Sequence, residues 1–348
     1  MIPKPSRFCR AAFLVVFVSL VAVLRGEAVK IIYDTDMASD VDDVGALAIL
    51  HALADRGEAE ILACMISSDN ESVGPCIEAI NTWYGRPDIP IGKVEDLKLA
   101  YPVYKGGEEV PSAYTHAIAK AFPHKLQRTS DAPRALELYR KILSAQPDRS
   151  VVIVSVGFLT NLKNLLNSMP DEFSPLKGED LVRAKVAQLV CMGGKFPDGR
   201  FANGGGEYNV AWDTEASVRA INDWPTPAVF SGWEIGNRVR VGSKLAEREE
   251  LNPVRTAYAF FNNLQDREAW DLTAVLFAVR GAGDLWTLSE PGLCLMHAAV
   301  PHGYNEWIAD GKHQQRYLIE KAPPEKVAEV LNELLTMKPR KSVAQSGG

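Results

Sequence analysis

Apolar residues in this chain come in short blocks rich in β-branched side chains. Each block closes on polar or glycine residues, and the next stretch repeats its apolar positions every three or four residues. Val29–Tyr33 predicts a buried strand, and Val44, Leu47, Ala48 and Leu50 mark the face of a helix over Val44–Asp55. Ala59–Ser67 predicts a second strand, Ser72–Tyr84 a helix, and Ile89–Val94 a third strand after the turn at Pro87-Asp88. Glu95–Thr129 shows no clear period and reads either as a cap over a site or as a surface loop. Asp131–Ala145 then predicts a helix capped by Asp131, and Ser150–Gly157 a strand, with Gly157 supplying a turn and Thr160 capping the next helix. Val186–Met192 and Pro225–Gly232 predict further strands, and Asp213–Asn222, Ala257–Leu264, Ala269–Val279 and Pro324–Met337 predict helices. Short strands are expected at Trp286–Glu290, Leu293–His297 and Arg316–Ile319. Strands alternating with helices predict an α/β fold, a single domain with a mostly parallel central sheet flanked by helices, of the Rossmann-like open kind.

The ends of the strands carry the chemistry, because ligands of open α/β sheets bind outside the carboxyl ends of the strands. The first strand runs into Asp34, Asp36, Asp40, Asp42 and Asp43 within ten residues. Two unit charges about 4 Å apart repel by about 4 kcal/mol at an effective dielectric near 20, so such a turn needs protons or a cation. Oxygen ligands without His or Cys favour a hard ion, Ca²⁺ or Mg²⁺. The bland alternative is a solvated acidic loop at a helix N-terminus. The other strand ends offer Asp69 and Asn70, Val156 and Gly157, Met192 and Gly193 with Glu207 and Asn209 beyond, and Trp233 with Glu234. Acids, amides and free carbonyls suit a hydroxyl-rich ligand. Ser39 and Ser155 have no partner histidine in a triad order, and the glycine run 203–206 lacks the residues of a phosphate loop.

Composition narrows the class. Lys4, Arg7 and Arg10 precede a run, Ala11–Leu24, interrupted only by Ser19, and Gly26-Glu27-Ala28 offers small residues at a cleavage position. Fourteen residues are short for a membrane span, so residues 1–28 are expected to be a cleaved signal peptide, with a secreted or periplasmic destination. That segment holds four basic residues against Glu27, a net of +3, so its removal takes the formal charge from −6 to −9. Such acidity argues against nucleic-acid partners and anionic membranes. Beyond Cys9 four cysteines remain, with no zinc spacing, and Cys64 and Cys191 fall inside strand-like runs as small buried hydrophobes. Residues 29–341 form one expected domain, and 342–348 a frayed tail.

Taken in order, five pieces resemble the inosine-uridine preferring nucleoside hydrolase family: Asp34-Thr35-Asp36 with Asp42-Asp43; Ile66–Asn70; Val156-Gly157-Phe158-Leu159-Thr160-Asn161; Met192-Gly193-Gly194 with Glu207-Tyr208-Asn209; and Ala269-Trp270-Asp271 before an apolar helix. The resemblance implies hydrolysis of the N-glycosidic bond of a ribonucleoside or related ribosyl compound. It implies a Ca²⁺ ion held by Asp36, Asp43, Asp271 and the backbone carbonyl of Val156. A water would be activated there, with Asp36, or else Asp42, taking its proton, and Asp42, Asn209, Glu207, Asn203 and Asn70 would hold sugar hydroxyls. Homo-oligomers are open under the same resemblance.

Two departures from the family pattern bear on mechanism. The turn from Asp36 to Asp42 is two residues longer than the family's common form, with Asp40 in the insertion as an alternative to Asp42 at metal or sugar, and Met37-Ala38 stands where Pro-Gly is usual. Trp270 stands where family members with an imidazole leaving-group acid have histidine, and tryptophan has no titratable proton to give. Trp270, Trp233 or Tyr208 could stack on a planar base, and His116 or His124 could stand in for the missing acid. Two other readings fit the first motif: an exported ribose or nucleoside receptor without turnover, and a haloacid-dehalogenase-type phosphatase with Asp34 as nucleophile and Mg²⁺ as cofactor.

Overall fold

A computed structural model of the chain describes residues 27–97, 113–248, 250–299 and 302–340, so the expected signal segment up to residue 26, the centre of the irregular stretch and the expected tail from 341 lie outside the described residues. The first half carries β1 (Val29–Thr35), α1 (Asp42–Asp55), β2 (Ala59–Ile66), α2 (Val73–Trp83), β3 (Ile91–Lys93), α3 (Ala113–Ala121), α4 (Ala135–Ala145), β4 (Val151–Ser155), α5 (Thr160–Asn167), α6 (Gly178–Lys185) and β5 (Val186–Met192). The second carries α7 (Tyr208–Ala211), α8 (Thr214–Asn222), β6 (Ala228–Ser231), α9 (Trp233–Gly236), β7 (Arg240–Val241), α10 (Pro253–Asn262), β8 (Arg267–Glu268), α11 (Trp270–Arg280), β9 (Trp286–Leu288), β10 (Leu293–His297), β11 (Tyr304–Ile308), β12 (Gln315–Glu320) and α12 (Pro324–Leu335).

The main sheet has eight strands in the order β3-β2-β1-β4-β5-β6-β12-β9. Every neighbour pair is parallel except β12 with β9. After β1 the chain winds outward through β2 and β3, then returns to β4 on the other side of β1. A topological switch point, with its crevice, therefore opens at the carboxyl ends of β1 and β4. Asp34 pairs in register with Met65 on one side and Ser155 on the other, so the acidic turn leaves the sheet beside the turn after β4. The chain is one α/β domain with a mostly parallel sheet between helices, as the block pattern predicts.

α1 is apolar nearly all round, and every residue but Ala54 is buried. Such a helix must be covered on all sides, and α11 and α12 pack along it, α11 also lying against β4, β5 and β6. Several elements differ from expectation for identifiable reasons. α4 starts after Pro133, not at Asp131, because the residue before a proline is pushed out of the helical region: Ala132 is extended (ψ 151°). Thr160 opens α5 without capping it, and its hydroxyl donates to Asp213. α10 begins at Pro253 behind an Asn252 cap that accepts from Arg255 N at 2.8 Å, a start signal that outranks the later apolar spacing. α3, α6 and β11 carry too few spaced apolar residues to stand out by period. The four described cysteines are buried and unbridged.

Candidate active site

The turn after β1 is held from below and from the side. Gly157 packs so closely beneath it that a Cβ there would come within 2.3 Å of the Asp36 backbone nitrogen, which explains the glycine after β4. Ala38 sits at φ 122°, a region L-residues rarely adopt, at the position where the family usually has glycine. Tyr114 of α3 clamps this strained point: its hydroxyl accepts from Ala38 N at 2.8 Å and donates to the Asp40 carbonyl. Part of the irregular stretch thus caps the turn through Tyr114, a contact with no periodic signal in the sequence.

The turn delivers its acids into an open cavity of about 450 Å³ at the switch point. Asp36, Asp40, Asp42, Asp43, Val156, Glu207, Asn209, Trp270 and Asp271 all line it. The starts of α1 and α11 abut, since Asp42 Oδ2 accepts from Asp271 N at 3.2 Å. Asp42, Asp43 and Asp271 consequently offer oxygens within 4.8 Å of one another, a group that could hold a metal ion. Against the expected set of Asp36, Asp43 and Asp271, the structure puts Asp42 in this group and Asp36 beside it. Thr35 Oγ1 donates to Asp43, fixing one carboxylate oxygen, and Tyr33 donates to the Asp43 carbonyl at 2.9 Å.

Burial pushes the carboxyls of Asp42, Asp43 and Asp271 well above the usual range, and neighbouring carboxylates push them further: Asp40 and Asp36 at Asp42, Asp36 and Asp42 at Asp43, Asp42 and Asp43 at Asp271. Asp36 and Glu207 rise to about 7, again chiefly by burial. Glu207 is the N-cap of α7: its two oxygens accept from Asn209 N and Gly194 N at 3.0 Å each, which holds it as an acceptor. Asn209 gives its amide hydrogens to the carbonyls of Val156 (3.0 Å) and Met192 (3.1 Å), so toward the cavity it has its carbonyl oxygen to offer. These donors are all oxygens, which fits a hard divalent cation, and they crowd negative charge that such a cation would relieve.

The cavity is also lined by aromatic side chains: Phe201, Tyr208, Trp233 and Trp270. Phe201 meets Trp233 edge-on at 5.0 Å. Trp270 packs against α9, where a Cβ on Gly236 would lie 2.2 Å from Trp270 Cα, and its indole N–H donates to the Trp233 carbonyl at 3.0 Å. Its polar atom is therefore committed, and what it offers the cavity is apolar ring surface. Arg267, which belongs to none of the sequence motifs, also lines the cavity, paired with Asp40. Its signal in the sequence was weak: an extra acid in the turn and a basic residue three positions before Trp270.

Several expected participants stand elsewhere. Asn70 is buried outside the cavity lining, its side chain accepting from Ser72 N at 2.9 Å, and Asn203 is exposed on the glycine-rich loop, accepting from Gly205 N at 3.0 Å. His116 is exposed on α3, and His124 lies between the carbonyls of Leu126 and Ala119, so neither replaces the missing imidazole acid. Asp34, the nucleophile of the phosphatase reading, is fully buried below the cavity, where Tyr139 donates to it at 2.8 Å and Asn161 at 3.1 Å. A group so enclosed cannot attack a phosphate ester, which rules out the phosphatase.

Comparison with known proteins agrees with this geometry. The family model described as inosine-uridine preferring nucleoside hydrolase matches residues 31–321. The pyrimidine-specific ribonucleoside hydrolase RihA of Citrobacter koseri is 28% identical over 265 residues, 71% of this chain and 75% of that protein. The protein of the same name from Salmonella agona is 30% identical over 259 residues, 70% of this chain and 74% of its own length. Among solved structures, a purine-preferring ribonucleoside hydrolase from Gardnerella vaginalis superposes with a TM-score of 0.66 at 17% identity, covering 89% of this chain and 99% of the other. The match over most of the chain, on a fold with its acids gathered at the switch point, makes this protein a member of the inosine-uridine preferring nucleoside hydrolase family.

Proposed function

We propose that this chain is a calcium-dependent nucleosidase that hydrolyses the N-glycosidic bond of a neutral ribonucleoside, exported by the basic-then-apolar segment at its start. The observation that carries the reading is the group Asp42, Asp43 and Asp271, three buried carboxylates crowded by neighbouring acids, in one cavity with the aromatic side chains of Trp233 and Trp270. Asp43 and Asp271, with the Val156 carbonyl, would hold the ion, and Asp42 would complete the set or bind a sugar hydroxyl. Calcium bound there would gather sugar hydroxyls and make a neighbouring water more acidic. Asp36, lying beside the group, takes the proton of that water, with Asp42 as the alternative base. Glu207 and the Asn209 carbonyl oxygen accept from sugar hydroxyls, which steadies the ring as C1′ takes on oxocarbenium character. The planar base lies against Trp270 and Trp233. A cavity lined by so many acids disfavours a phosphorylated substrate.

The test is ribose release from a nucleoside panel by the purified chain, with Ca²⁺ and with chelator. Chelator-sensitive release is expected, and Asp43→Ala should lose calcium binding and turnover together. Tight nucleoside binding without turnover would favour the receptor reading instead, and unchanged calcium affinity in Asp43→Ala would sink the site assignment.

A further inference from the structure

Breaking the glycosidic bond leaves an electron pair on the base, and something in the cavity must accommodate it. Trp270 cannot, because its indole N–H is bound to the Trp233 carbonyl. Glu207 is held as an acceptor by two backbone N–H groups. Among the described residues that line the cavity there is no histidine or lysine, and Arg267 is the one cation. Its guanidinium stands 5.1 Å from the Trp270 ring and 5.5 Å from that of Phe261.

Arg267 is held firmly. Nε lies 3.0 and 3.1 Å from the two oxygens of Asp40, Nη2 also donates to Asp40, and Nη1 donates to Glu268 at 3.0 Å. Asp40 is itself anchored, accepting from Val41 N at 2.7 Å while its carbonyl accepts from Tyr114. A guanidinium has five N–H donors in a rigid plane, and these contacts leave one on each Nη uncommitted. The side chain stays about 30% exposed, open to the cavity. Flanked by two carboxylates it is a poor site for a full anion such as phosphate, but it can still donate to a carbonyl oxygen as charge develops there.

We propose that Arg267, positioned by Asp40, is the leaving-group residue of this enzyme, and that it selects nucleosides whose base carries a carbonyl oxygen. This rests on the nucleosidase reading above. As the C1′–N bond breaks, its electron pair passes to the base nitrogen and onto the carbonyl oxygen. There an Nη–H hydrogen bond strengthens with the growing negative charge, while water adds its oxygen to C1′ and gives its proton to the carboxylate base. The departing base takes its own proton from solvent, so no proton leaves Arg267, and the products are ribose and free base. Asp40 acts through Arg267 and is a positioning residue.

The discriminating measurement compares uridine with p-nitrophenyl riboside, whose nitrophenolate spreads its charge without help. Arg267→Met should lower kcat on uridine at least a hundredfold and change p-nitrophenyl riboside turnover less than about fivefold, with Arg267→Lys recovering part of the uridine rate. Retained turnover of the activated substrate also shows that each variant is folded. Equal losses on both substrates, or an unchanged uridine rate, would overturn the role of Arg267 while leaving the nucleosidase intact. Wild-type protein that cleaves neither substrate would overturn both.

Discussion

The two ends of α1 carry two buried polar clusters that differ in one respect, whether the protein supplies the compensating partner. At the C-terminal end His51 donates to Asn81 at 2.8 Å and stacks on Tyr84, with ring centroids 4.6 Å apart. Asp55 nearby accepts from Arg86 at 2.6 Å and from Arg340 N at 3.0 Å. Burial, reinforced by Arg86, lowers the His51 pKa to about 3, so the ring is neutral, and each buried group has a partner. At the N-terminal end Asp42 and Asp43 gather with Asp271, the nearby Arg267 spends its hydrogen bonds on Asp40 and Glu268, and burial raises all three acids. A closed cluster contributes to structure, whereas one left with surplus charge beside an open cavity is poised for a ligand.

That contrast can be broken by experiment. Asp271→Asn should cut turnover on the order of a thousandfold, about 4 kcal/mol in the barrier, while thermal unfolding without metal stays level or improves, because one repelling carboxylate is gone. A clear drop in metal-free stability would mean that the three acids are structural. Calcium at a hundred times its dissociation constant should stabilise the wild type by about 2.7 kcal/mol and leave Asp271→Asn unmoved; equal shifts in both would place the ion elsewhere. At the other end Arg86→Met should cost about 2 kcal/mol by denaturant unfolding, less than a fully enclosed pair would, since Arg86 keeps 26% of its side-chain surface. Its kcat should be unchanged, and a large activity loss would show that the two ends are coupled.

Much of the fold was legible because it is written locally. β1, α1, β2 and β5 carry dense apolar runs, and the period alone placed them to within a residue or two. α3 and β11 did not show, since their burial comes from partners distant in the chain. Of the candidate site, the acids of the turn, Glu207, Asn209 and Trp270 could be named from sequence because each follows a strand or opens a helix. Asn70 and Asn203 fit the same motif logic and yet lie outside the cavity lining, each bonded to a backbone N–H two residues on, because a loop's path decides which side chains reach the site. His116 and His124 carry the right chemistry for a leaving-group acid, but neither lines the cavity.

What the sequence determined by itself was the alternation of strand and helix and the placing of charge at the end of the first strand, both consequences of short-range period. The tertiary structure decided which charges meet. Asp42 joins Asp43 and Asp271 because two helix starts abut, and Asp40 finds Arg267 across 227 residues of chain. Pairings at that separation depend on how buried helices pack against the sheet, and the polar residues that make them carry no periodic mark in the sequence.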